Sequence, residues 1–411
     1  MRLSFLHLII GTLMMGVAAL AFDSAAAPPQ SDLKTYPLLN SPNSADISPD
    51  ERLVATECTI KDDSGPDAKI FVELVQVWNF REGKLVRQFQ VQRVEVHASA
   101  GRFFPDPISG PRFVRFSADG SLIAAYIDHV LHVLRTNDLT EIKRIELKGP
   151  SSTSRAFRYK GTLRTTVYAP IVSAFELSPT ADVAAVLWVR DMLYGRVELY
   201  DLSSAKQLGA WDAPQGWLGF DRDRGMAWHP NGDLLLLAVP NETPCLSPGN
   251  APDVFAFAVP SGTIKAELKT GLLVGDVAIT ADNRVLAVDS GCMTVFKDHD
   301  PKLKVFDLNT GKHLHDLHGR GTGVRYRISV ARNGERVLAY TGKLKIKFDW
   351  GDFVANDAMV DATFSVWNLK DYSGVVTSQD LKGLNSSGLR ISPNGRFAVS
   401  SGQASSVFEL P

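Results

Sequence analysis

Three histidines, His313, His315 and His318, fall within six consecutive residues. On a strand, positions 313 and 315 share a face, a spacing that suits a pair of imidazole metal ligands. Asp349, Asp352, Asp357 and Asp361 offer the hard oxygen ligands that calcium takes, but not at the positions of an EF-hand loop. Ser203-Ser204-Ala205-Lys206 has the letters of an S-x-x-K nucleophile, whose chemistry needs the serine at a helix start. Gly319-Arg320-Gly321-Thr322-Gly323 has the glycines of a phosphate cradle, which must join a parallel strand to a helix. No G-x-S-x-G, H-E-x-x-H or dinucleotide fingerprint accompanies them. Whether any of these groups acts depends on the elements that hold them.

Those elements come from an internal repeat. A four-residue turn recurs as Ser48-Pro49-Asp50-Glu51, Ser117-Ala118-Asp119-Gly120, Ser178-Pro179-Thr180-Ala181, His229-Pro230-Asn231-Gly232, Thr280-Ala281-Asp282-Asn283, Ala331-Arg332-Asn333-Gly334 and Ser392-Pro393-Asn394-Gly395. Successive copies are 69, 61, 51, 51, 51 and 61 residues apart, so a constant unit carries variable insertions. Proline presets φ at the second position, and Asp, Asn or Gly tolerates the positive φ of a tight strand connection. Each turn therefore joins antiparallel strands A and B. The runs after it, such as Val183 to Val189 and Leu234 to Val239, lack clean alternation, which predicts strands covered on both faces. A third strand follows at Val77-Trp78-Asn79, Leu199-Tyr200-Asp201, Val305-Phe306-Asp307 and Val366-Trp367-Asn368, then a polar turn and a fourth strand.

This order of strands, Ser-Pro-Asp/Asn-Gly-like turns, aromatic-Asp/Asn pairs and Gly-Lys turns resembles the WD40 and YVTN class of β-propeller repeats. It departs from typical WD40 repeats in lacking the Gly-His dipeptide and in ending its third strands with Trp-Asn, at 78 and 367, rather than Trp-Asp, which favours the looser bacterial secreted relatives. The resemblance implies an all-β chain, a seven-bladed β-propeller of four-stranded antiparallel blades over 33–411. The seventh unit stops at Val407 to Leu410 without a fourth strand, and Leu33 to Leu39 precedes the first unit. An N-terminal strand is therefore expected to complete the last blade and close the ring, removing its open edges.

Residues 1–21 read as a signal peptide, one arginine and then an apolar run ending in Ala19-Leu20-Ala21, and 22–32 as a short linker. An uncleaved anchor is the other reading. No later segment reaches eighteen apolar residues, so no membrane span is expected after signal cleavage and the mature chain is expected to be secreted or periplasmic. Across 411 residues, 44 basic side chains face 45 acidic ones and 45% are hydrophobic, which excludes disorder and a nucleic-acid binder held by bulk charge.

Tight A-to-B and C-to-D turns lie on one face of such a disc. The insertions, at about 58–71, 240–253, 289–302 and 341–362 between B and C and about 91–112 and 148–170 between blades, read as loops on the other face. Loops bordering the channel are where a propeller is expected to bind. From Lys148 to Tyr168 there are five basic side chains, Lys148, Arg155, Arg158, Lys160 and Arg164, and no acidic one, interleaved with Phe157, Tyr159 and Tyr168. The neighbouring insertion adds Arg93, Arg102 and Arg112. The expected contact residues are Arg102, Arg155, Arg158, Tyr159, Lys160 and Arg164, and the expected partner is a protein or an anionic ligand.

Cys245 and Cys292 fall in B-to-C insertions of consecutive blades and could form one disulfide, while Cys58 reads as a buried apolar residue. No catalytic residue, metal ligand or cofactor is expected. The expected function is a non-catalytic binding module. The alternative is an enzyme or enzyme subunit, because the repeats also resemble those of the quinoprotein amine dehydrogenase heavy chain and of lactonase-like propellers.

Overall fold

Turns that begin with serine or threonine close through that side chain, and the one that begins with Ala331 closes through the backbone, Gly334 N–H to the Ala331 carbonyl (2.8 Å). Ser48 Oγ donates to Asp50 Oδ1 (2.6 Å) and accepts the Leu53 backbone N–H (2.9 Å). Ser117 repeats both contacts with Asp119 (2.7 Å) and Leu122 (2.9 Å), and Ser392 accepts the Phe397 N–H (3.0 Å). The fourth position takes φ between 57° and 76° at Glu51, Gly120, Gly232, Asn283, Gly334 and Gly395. Glycine is required at Gly120 for a second reason: a Cβ there would lie 3.0 Å from Pro49 Cδ, so adjacent turns abut around the channel mouth.

The computed structural model describes residues 34–38, 41–62, 68–97, 111–159, 162–180, 182–190, 194–214, 216, 225–239, 251–272, 274–289, 303–318, 325–344, 359–377, 384–402 and 405–411. The first strand is β1 (Thr35–Pro37). Blade 1 is β2 (Ser44–Ile47), β3 (Leu53–Asp62), β4 (Ala68–Asn79) and β5 (Lys84–His97). Blade 2 is β6 (Phe113–Phe116), β7 (Leu122–Ile127), β8 (Val130–Arg135) and β9 (Glu141–Glu146). A separate hairpin follows, β10 (Thr153–Tyr159) and β11 (Thr162–Tyr168). Blade 3 is β12 (Ile171–Leu177), β13 (Val183–Arg190), β14 (Tyr194–Asp201) and β15 (Gln207–Asp212). Blade 4 is β16 (Met226–Trp228), β17 (Leu234–Ala238), β18 (Val254–Ala258) and β19 (Thr263–Leu268). Blade 5 is β20 (Val274–Ile279), β21 (Arg284–Asp289), β22 (Leu303–Asp307) and β23 (His313–Leu317). Blade 6 is β24 (Arg325–Val330), β25 (Arg336–Leu344), β26 (Met359–Asn368) and β27 (Gly374–Thr377). Blade 7 is β28 (Leu384–Ile391), β29 (Phe397–Gly402) and β30 (Ser406–Glu409), with β1 as its fourth strand.

The seven inner strands contact one another in a closed ring, β2 to β6, β12, β16, β20, β24, β28 and back to β2. Seven clusters of buried apolar residues fill the seven gaps between neighbouring blades. Both faces of each sheet are thus covered, which explains the unalternating apolar runs. Ring closure follows the expected route: Thr35 pairs with Phe408, Tyr36 with Val407 and Pro37 with Ser406.

Short polar side chains lace the inner strands. Asp46 accepts the Phe116 N–H (2.8 Å), Ser44 that of Val114 (3.2 Å), Asp276 that of Ile328 (3.1 Å) and Ser329 that of Ile391 (3.0 Å). These donors lie on the inner edge of each sheet and would otherwise go unpaired.

Candidate interaction surface

Two parts of the insertion-rich face are built from strands that rise beyond the disc. In blade 1, β2 pairs with β3 only to Glu57, yet β3 runs on to Asp62, β4 begins at Ala68 and β5 continues to His97. At ~3.4 Å per residue, 58–62 alone adds about 17 Å of strand. The sequence reading placed loops at 58–71 and from 91. β-branched residues at Thr59, Ile60, Ile70 and Val72, paired across three strands, hold these segments extended instead.

The base of this projection is fixed by a buried ionic cluster. Arg112, just before β6, donates from Nε to Glu73 Oε1 (3.0 Å), makes a second contact from Nη2 to the same oxygen, and lies 3.5 Å from Glu57 Oε1. Gln92 Nε2 donates to Glu73 Oε2 (2.5 Å). Glu57 and Glu73 therefore share one guanidinium. Burial pushes the Glu57 carboxyl up to about 8, against the pull of Arg112, and the Glu73 charge adds to the rise. Folded Glu57 keeps its proton between its ordinary value of 4.5 and about pH 8, where the unfolded chain has released it. Stability from this group is therefore full at low pH and is lost as pH rises through that window. Glu57→Gln is expected to flatten the profile in urea denaturation, matching the parent near pH 5 and exceeding it above pH 8 by roughly 1–3 kcal/mol. An unchanged slope would show that Glu57 is not the titrating group.

The second projection is the β10–β11 hairpin, where the sequence reading placed a loop over 148–170. Its seven-residue strands pair along their whole length, Thr153 with Tyr168 through Tyr159 with Thr162, and belong to no blade. Register places Arg155, Phe157, Tyr159 and Arg164 on one face of the ribbon and Arg158 on the other. Of the expected contact residues, four thus share one hairpin, whereas Arg102 and Lys160 lie outside the described residues.

The root of the hairpin is held by an aromatic stack. Gly149 passes over Trp188 with φ of 59°, and a Cβ there would stand 2.8 Å from the indole ring. His129 stacks on Trp188 at 5.7 Å and 5°. The indole N–H is taken by Glu198 (2.9 Å), which also accepts the Tyr200 hydroxyl (2.7 Å) and Arg196 Nε (3.2 Å). Beside this root lies a groove of about 420 Å³ lined by Ser151, Arg190, Tyr194, Arg196 and Asp212. Arg190 donates to the Ser151 carbonyl (3.3 Å) and lies 5.6 Å from the ring of Tyr194, which is 42% exposed. Arg and Tyr in such a setting are the side chains that anchor partners. The sequence did not bring these residues together as a groove, because its walls come from 149–151 and from the far ends of β13 and β14.

The central channel is crossed by charge. Glu176 of blade 3 accepts from Arg390 of blade 7 (Nη1 to Oε2, 2.9 Å, with a second contact from Nη2 to Oε1) and lies 3.4 Å from Arg115 of blade 2. Arg332 donates across the mouth to the Ala118 carbonyl (2.9 Å). About 210 Å³ remains within this lining, space enough for ordered water. The sequence reading missed these residues, although each of Asp46, Arg115, Glu176 and Arg390 stands four residues before the third position of its turn.

The remaining motifs serve local structure. His313 pairs with Asp316 (2.9 Å), while His315 stacks on Tyr372 at 4.4 Å, so the two imidazoles have separate partners. Ser203 Oγ donates to Asp201 (2.6 Å) within a turn that has Ala205 at φ of 60°, which gives the S-x-x-K letters a capping role. Cys58 is buried, and burial pushes its thiol up to about 12, leaving it unreactive at neutral pH. Cys245, Cys292, the glycine run at 319–323 and Asp349, Asp352 and Asp357 lie outside the described residues, and Asp361 falls within β26.

No family model matches the sequence, and no curated protein matches it. A chain from the crystal structure of a mitotic checkpoint complex is similar in fold, with a TM-score of 0.52 at 13% identity over 98% of this chain and 99% of that one. The chain is a seven-bladed β-propeller. At this identity the likeness carries the fold alone, and the propeller's repeats are WD-like in strand order and turn placement. Among the described residues, no helix is long and apolar enough to cross a membrane.

Proposed function

We propose that this propeller is an exported, non-catalytic interaction module that holds a protein or anionic partner on its insertion-rich face, across blades 1 to 3. The β10–β11 hairpin carries the reading. It is a two-stranded sheet outside the blades, and between Glu146 and Glu176 the chain has five basic side chains and no acidic one. Closing the ring does not need it, since five residues, 269–273, suffice to connect β19 and β20. The rooted groove beside it adds an exposed aromatic and a guanidinium to the same side. The apolar run of residues 1–21 supports export.

A basic surface steers an anionic partner and sets its rate of capture. Arg155→Glu with Arg158→Glu is expected to reduce recovery of the bound partner from a periplasmic or extracellular extract at least ~10-fold at low salt, with the melting temperature unchanged. Equal recovery by parent and variant would exclude the hairpin as the contact.

A further inference from the structure

We infer that an open edge of the β10–β11 ribbon docks an extended, acidic polypeptide segment, which adds to it as a third strand. This rests on the binding reading above and names the partner's class and its mode of attachment. β10 pairs only with β11, and no other described strand pairs with either. Among the described residues, each strand therefore presents a row of backbone N–H and C=O groups along its outer side. A two-stranded ribbon alone is marginal in water, and a third strand supplies the missing backbone partners. Lipid headgroups and sugars offer no such ladder, so the open edges favour a polypeptide.

Charge selects among polypeptides. A second copy of this chain would bring Arg155, Arg158 and Arg164 against themselves, and like charges on neighbouring strands oppose pairing. An acidic segment is complementary. Its alternate side chains would lie beside the face that carries Arg155, Phe157, Tyr159 and Arg164, and the others beside Arg158. The Arg190–Tyr194 groove at the root continues the same basic and aromatic character.

The test uses the full chain and a peptide of about eight residues alternating Glu and Val, long enough to match one strand. Its comparators are a Lys/Val peptide, a fully N-methylated Glu/Val peptide that keeps the charge but loses the backbone donors, and phosphatidylglycerol vesicles. The Glu/Val peptide is expected to bind at least ~10-fold more tightly than either comparator peptide, to slow amide exchange within 153–168, and to weaken on Arg155→Glu with Arg164→Glu. Equal binding of the N-methylated peptide, no binding of the Glu/Val peptide, or protection of the hairpin by vesicles alone would overturn strand addition. Any of these beside a positive charge-reversal capture would leave the binding surface standing, so the two ideas fail separately.

Discussion

Deletion of residues 33–39 is expected to cause the largest loss of stability available from so short a segment. β1 is the only strand that blade 7 takes from the other end of the chain. Besides its ladder with β30, Leu38 N–H donates to the Ser405 carbonyl (3.0 Å) and Glu409 N–H to that of Lys34 (2.9 Å). Tyr36 meets Phe80 edge-on at 5.4 Å, and Phe80 meets Phe397 at 5.3 Å, so the strand also seals the packing between blades 7 and 1. Buried Leu38, half-buried Tyr36 and these backbone bonds together contribute on the order of 5 kcal/mol. For a chain of this size that corresponds to about 5–10 °C in thermal midpoint. The outer edge of β30 would then be bare and able to pair with another chain, so concentration-dependent aggregation should accompany the loss. A truncated protein that melts with the parent and stays monomeric by light scattering would refute closure by β1.

Glu176→Ala is expected to be nearly as costly, for an electrostatic reason. Glu176 joins blades 3, 2 and 7 across the channel, and its partner Arg115 is almost wholly buried, at 3% exposure. Removing the carboxylate takes their shared partner from two guanidinium groups in a confined space, and breaking a buried pair in this way costs about 3–5 kcal/mol. Replacing the trio together, with Glu176→Leu, Arg115→Met and Arg390→Met, removes both cations with the bridge and should recover part of that loss, the buried Asp46 carboxyl losing the cations that favour its charge. Guanidinium denaturation of the single and triple variants separates the cases. A single variant as stable as the parent would mean that the bridge across the channel holds nothing together.

The architecture was readable because its cause is local. Ser48, Asp50 and the positive φ at Glu51 close a turn within a few residues, and the same chemistry repeats at 117–120 and 392–395, so the letters recur. Closure could be read by counting strands, since Val407 to Leu410 lacked a successor and Leu33 to Leu39 lacked a unit. The projections were not readable as strands. Thr59 to Asp62 lies in the B-to-C insertion of blade 1 and Thr153 to Tyr168 between blades 2 and 3, and their pairing partners are set by register rather than by any turn motif. A scan for seven-residue β-rich runs on either side of Lys160-Gly161 would have found the hairpin. The channel charges were in view but unassigned, because Arg115, Glu176 and Arg390 meet only when three blades are folded against one axis. Only a comparison of units position by position would have singled them out.

The most direct test of the account is photo-crosslinking in cells from a benzophenone side chain placed at Tyr159, on the hairpin, against one at Ile264, exposed on the outer strand of blade 4 near its tight turn. A discrete protein adduct from position 159 and none from 264 is the predicted result. An adduct from 264 with none from 159 would put the partner on the opposite side of the disc and contradict the assignment of the binding face.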